Sequence, residues 1–205
     1  MSSYPIRDPK TDHLLTPQNA ALIVIDYQAT QVNSINSMPR NQLVSHIVTV
    51  AELAKAFGMP IVLSTVNVKT GANKDTVAPL LAVLQGVPSY DRTSINAWED
   101  KEFYEAVKNT GRKKLVMCAL WTEACLAFPA IDAIRDGYEV YPVVDAVGGT
   151  SVIAHETALR RIEQAGAKLI SIAQLGCELQ RDWNRQETAQ YMVKAFFDVG
   201  VFVKL

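Results

Sequence analysis

The chain has 205 residues, 49% hydrophobic and 20% charged, with 21 acidic side chains against 20 basic ones. This is ordinary globular composition, long enough to bury a real core, and it sets the expectation of one domain over 1–205. The near-zero net charge argues against nucleic acid or an anionic membrane as partner, since either calls for a basic patch.

The opening stretch, MSSYPIRDPKTDHLLT, is polar and lacks the apolar segment of a secretory signal. No apolar run approaches the ~18 residues that span a bilayer. Cys118, Cys125 and Cys177 are odd in number and read as reduced thiols, so a cytoplasmic location is expected. Ala21–Ile25 (ALIVI) is a short apolar strand ending at Asp26. Leu43, Ile47, Val50, Leu53 and Ala54 share one face of a helix over 42–57, which Gly58 ends. Residues 61–65 form the next strand. A long loop over 67–97, holding a short helix at 76–84, lies across one end of the sheet, and 99–108 is helical. Leu115–Ala119 is a strand, followed by a helix over 122–135, a strand over 140–144 ending in Asp145, a helix over 154–165 and a last strand over 168–172. Residues 173–182 and 185–197 are helical, the latter opening a C-terminal helix and arm over 185–205. Strands of continuous Val, Ile and Leu are buried on both faces. The alternation therefore predicts an α/β fold, a parallel sheet with helices on each side.

In such sheets ligands bind beyond the carboxyl ends of the strands. That rule picks out Asp26, Ser64, Thr65 and Asp145, and also Cys125, which follows the strand at 115–119. Thr122 is a candidate N-cap for the helix carrying Cys125. Free N–H groups and the helix dipole favour an anion there, so the thiol is expected to lean toward thiolate. A thiolate beside N–H donors is equipped to attack a carbonyl and hold the oxyanion. Against this stands the commonest fate of a free cysteine, a small buried hydrophobe. Glu123 opposes ionisation unless it points away, and Pro129 distorts the helix one turn later. Asp26 reads either as a turn cap or as the base for the thiol. Asp145 reads as a loop organiser. Arg92, inside the long loop, is either a solvated side chain or a fixed positive charge beside two anions. Cys118 is packed, and Cys177 has no assigned role. His13, His46 and His155 lack ligand spacing, and no strand is followed by G-x-G-x-x-G, so neither a metal nor another cofactor is expected.

Together ALIVIDYQ, RTSINAW and LWTEACLAFPAIDAIRDGYEVYPVVDA resemble the isochorismatase-like cysteine hydrolases, in their YcaC-type branch, over about 20–182. The resemblance implies a three-layer α/β/α fold on a mostly parallel six-stranded sheet. It implies a catalytic triad at Asp26, Arg92 and Cys125, with Arg92 where the family usually has Lys. It also implies a cis peptide at Leu120–Trp121 that turns the Trp121 N–H, with that of Cys125, toward an oxyanion. The acid and histidine metal set of nicotinamidase-type members is missing. Tyr27 and Gln28 are expected to shape the pocket. The expected activity is cleavage of the C–N bond of a small amide or carbamoyl compound through a thioester. Three alternatives stand beside it: a vinyl ether hydrolase of the isochorismatase type, a thiol redox sensor, and a non-catalytic assembly protein that kept the fold. The family also implies a homo-oligomer, such as a tetramer or octamer. The apolar terminus AFFDVGVFVKL would supply a contact, unless it packs on its own core.

Overall fold

A computed structural model describes residues 6–203, so residues 1–5 of the opening stretch and 204–205 of the C-terminal arm lie outside the described residues. Five strands form one parallel sheet: β1 (Ala20–Ile25), β2 (Ile61–Val66), β3 (Ser89–Arg92), β4 (Lys114–Ala119) and β5 (Glu139–Pro142). Their order is β3-β2-β1-β4-β5. Every residue of β1 and β4 is buried, as their unbroken apolar character requires of central strands. They pair directly, from Ala20 opposite Lys114 to Ile25 opposite Ala119. The chain moves from β1 outward to β2 and β3, then crosses back to β4 on the other flank. The gap beyond the carboxyl ends of β1 and β4 is thus a topological switch point.

The helices are α1 (Ala29–Asn33), α2 (Arg40–Ala56), α3 (Ala78–Val83), α4 (Lys101–Asn109), α5 (Ala127–Arg135), α6 (Val152–Gln164), α7 (Ile172–Gln180) and α8 (Gln186–Asp198). On one face α2 packs against α1, α3, α7 and α8; on the other α5 packs against α6 and a 3-10 turn, Ala97–Glu99, that leads into α4. Sheet and helices make the expected three layers. Among the described residues no helix is long and apolar enough to cross a membrane. At the C-terminal end Phe196 is buried and meets the Phe202 ring edge-on at 5.2 Å. The arm does fold back on its own core, while Phe197, Val201 and Val203 stay exposed.

Three features depart from the sequence reading. Among the described residues the sheet has five strands, not six. Residues 168–170 still run beside β5, with Lys168 N–H bonding Val140 O at 2.9 Å and Ile170 N–H bonding Pro142 O at 3.0 Å. Glu139 and Val143 donate toward β4, so the alternate positions face the outer flank, and Pro142 has no N–H to give there. The ladder shrinks to a single bridge, Val143 to Ile170. Second, the stretch 67–97 contains β3, whose sequence SYDR carries no apolar signal because only Arg92 is buried. Third, α1 was not anticipated; its five residues show no helical stripe.

The amino edge of the sheet carries a polar cluster. Glu139 accepts from Lys168 at 2.5 Å, Lys114 at 3.1 Å and the Tyr141 hydroxyl at 3.0 Å. Burial pushes its carboxyl up, but these donors outweigh that and hold it at about 2, against an ordinary 4.5. A depressed folded value means the group stabilises the fold above its ordinary range and loses that contribution as pH falls toward 2. The urea midpoint should therefore drop between about pH 5 and pH 3, and drop less in Glu139→Gln. An equal drop in the two proteins would remove this cluster from the acid response.

Candidate active site

The three predicted residues meet at the switch point. Asp26 directly follows β1 and adopts a left-handed backbone (φ 62), which Asp tolerates better than most residues. Its N–H bonds Ser64 O at 3.0 Å, so the turn is anchored to β2. Arg92 is the last residue of β3, not a loop residue, and its register opposite Val66 carries the guanidinium over the end of β2. The two side chains are fully buried and form a forked pair: Nη1 to Oδ1 and Nη2 to Oδ2, both 2.7 Å. Such a two-point fork is specific to arginine, because lysine offers a single point charge. Arg92 Nη1 also donates to Ser64 Oγ at 3.1 Å and Thr65 O at 3.0 Å, and Nη2 to Ile95 O at 3.2 Å. Burial lowers the pKa of Arg92, but the hydrogen bonds and charge of Asp26 more than reverse this. The guanidinium stays charged and takes no part in proton transfer.

Cys125 arrives from β4, and its local structure differs from the expected helix start. Residues Thr122–Leu126 form a π-helical turn, and Leu126 N–H reaches five residues back to Trp121 O at 3.1 Å. The α-helix begins only at Ala127. Pro129 has no N–H to donate to Cys125 O, so the α register cannot pass through that carbonyl. Thr122 does not cap; its hydroxyl meets His155 Nδ1 at 2.8 Å. Glu123 does point away from the thiol: its Oε1 accepts from Thr150 N–H at 3.0 Å and Thr150 Oγ1 at 2.6 Å. The Leu120–Trp121 peptide bond is cis.

The thiol faces the Asp26 carboxylate and is only 8% exposed. Burial, then the charge and hydrogen bonding of Asp26, push it up to about 12, while the charge of Arg92 and the Trp121 backbone N–H pull less strongly the other way. The expected lean toward thiolate is thus reversed. A buried site beside a carboxylate outweighs the pull of one helical turn, which favours the protonated thiol.

The pocket role expected of Tyr27 and Gln28 needs correction as well. Both are fully buried. The Tyr27 hydroxyl donates to Ala146 O at 2.5 Å. Gln28 Nε2 donates to Val66 O at 3.0 Å and Lys74 O at 2.6 Å, and its Oε1 accepts from Val66 N–H at 2.9 Å. Their polar atoms are spent tying loops to the strand ends, so neither side chain offers one to a ligand. Asp145 organises its loop as read, accepting from Ile172 N–H at 2.9 Å at the start of α7. Cys118 is buried and Cys177 exposed. Among the described residues no three His, Cys, Asp or Glu side chains gather as a metal set would. The sequence reading missed Ser34, which accepts from the Trp121 indole at 2.6 Å, and the contacts of His155 and Thr150. No spacing pattern could have revealed them, since each joins segments far apart in the chain.

Residues 20–174 match the isochorismatase domain. The chain belongs to this family. It is 36% identical over 170 residues to the probable hydrolase YcaC of Escherichia coli, covering 82% of this chain and 81% of the relative. The crystal structure of that protein, described as an octameric hydrolase of unknown specificity, superposes with a TM-score of 0.85 at 34% identity over 92% of each chain. YcaC from Pseudomonas aeruginosa, solved with hexane-2,5-diol and covalent acrylamide, gives a TM-score of 0.84 at 31% identity, covering 90% of this chain and 92% of that one.

Proposed function

We propose that this isochorismatase-family chain is a cysteine hydrolase that cleaves the C–N bond of a small amide or carbamoyl compound. The carrying observation is the Asp26 carboxylate held by Arg92 and set against the Cys125 thiol. A thiol near 12 is not a nucleophile alone at neutral pH, but a carboxylate in contact can take its proton as the sulfur attacks. In this reading Cys125 Sγ bonds to the carbonyl carbon and its proton passes to Asp26. The Trp121 and Cys125 N–H groups hold the oxyanion. Collapse breaks the C–N bond, and Asp26 returns the proton to the departing amine. Water then gives a proton to Asp26, adds to the thioester, and releases the acid. The sulfur takes back the proton. Arg92 keeps Asp26 in place and balances its charge throughout.

The test is a panel of small amides and carbamoyl compounds together with acrylamide as a covalent probe, which the Pseudomonas relative is known to hold. Cys125→Ala should abolish hydrolysis and acrylamide labelling at this position. Parent-like hydrolysis by that variant would end the thiol mechanism, whereas no hydrolysis by the parent across the panel would leave the non-catalytic or redox alternatives. The described cysteines are free thiols, as the cytoplasm we assign to the protein maintains them. We also propose self-association, supported by the octameric E. coli relative and the exposed Phe197, Val201 and Val203.

A further inference from the structure

The turn that carries Cys125 is gripped from one side by residues 148–155. Thr122 N–H bonds Gly148 O at 2.9 Å, Glu123 bonds Thr150 twice, and Thr122 Oγ1 meets His155 Nδ1 at 2.8 Å. Gly149 allows this closeness: a Cβ there would lie 2.7 Å from Glu123 Oε2 and 2.9 Å from His155 Cβ. His155 stands in the first turn of α6, its own N–H bonded to Ser151 O at 3.0 Å.

Thr122 is fully buried, and among the described residues its hydroxyl has no other partner than His155. A buried hydroxyl proton left without an acceptor is costly. The bookkeeping closes when Thr122 donates and Nδ1 accepts, which makes His155 the neutral tautomer with its proton on Nε2. Glu123 on the turn and Glu156 on the same helix both favour the charged ring. Burial outweighs them and lowers its pKa, in keeping with a neutral acceptor.

We propose that His155 is a positioning residue: through Thr122 it locks the turn so that the Cys125 sulfur stays buried against Asp26. This rests on Cys125 being the nucleophile, but it concerns where the sulfur sits, which labelling reads whether or not an amide is turned over. The three cysteines supply their own controls, since Cys177 is exposed, Cys118 is buried in β4, and Cys125 is the target.

The experiment is peptide-resolved iodoacetamide labelling of the full chain at about pH 9, with the Cys177 rate as reference. In His155→Ala and Thr122→Val the turn relaxes and the sulfur leaves its buried seat, so Cys125 should label roughly tenfold faster, the scale set by one buried hydrogen bond. Cys118 should stay silent in both. The double variant should label no faster than either single one. His155→Asn, which can offer an acceptor close to the Nδ1 position, should restore the parent rate. Unchanged Cys125 labelling in both single variants, or Cys118 labelling that rises in step, would overturn the proposal; the second result would mean general loosening of the fold.

Discussion

Replacing Arg92 with Met should lower the free energy of unfolding by about 3–5 kcal/mol, because it strands a buried carboxylate without its counter-charge. Asp26 and Arg92 have no solvent-exposed side-chain surface, so water cannot take over from the lost partner. The pair itself need contribute little to stability, since desolvating two charges costs about as much as their attraction returns. The double change Asp26→Asn with Arg92→Met removes both charges and should recover most of the loss. Arg92→Lys should fall between parent and Met: it keeps the charge but cannot fork across both oxygens and also reach Ser64, Thr65 and Ile95. Urea unfolding followed by circular dichroism gives the ranking. A double variant as unstable as Arg92→Met would show that the destabilisation comes from lost packing and not from an orphaned charge.

The parts of this site that the sequence announces are those whose chemistry is written locally. Asp26 stands out because an acid ends an otherwise apolar run, and Cys125 because it follows a second such run. The strand-end rule then brings the two together. Arg92 does not announce itself: SYDR looks like a loop, and the edge strand exists through pairing with β2. Its place in the site came from resemblance, not from pattern. The π turn was illegible for another reason. Pro129 signals a disturbance, but whether the helix kinks, ends or widens depends on what holds its first residues, and those partners are Ser34, just after α1, and residues 148–155. The ionisation state of Cys125 is illegible on the same ground. A helix start is a local feature, whereas the burial and the Asp26 charge that outweigh it are tertiary.

Asp26→Asn should move the two activities of Cys125 in opposite directions. In the parent, a thiol near 12 is ionised to only about 1 part in 10⁴ at pH 8, so simple alkylation should be slow and should rise about tenfold per pH unit. Asn removes the charge and the acceptor that push the sulfur up, and leaves the Arg92 charge, which pulls it down. The titration midpoint for iodoacetamide labelling should therefore fall below 12, and labelling at pH 9 should become faster than in the parent. Hydrolysis needs the proton taken at the moment of attack and returned to the leaving amine, which Asn cannot do. Turnover at pH 7 should drop by about 10²–10⁴-fold. Unfolding would also free the thiol and end hydrolysis, but it would expose Cys118, which should stay silent here; mere crowding would slow labelling and hydrolysis together. If Asp26→Asn labels more slowly and hydrolyses as well as the parent, the carboxylate is neither what raises the thiol nor what takes its proton.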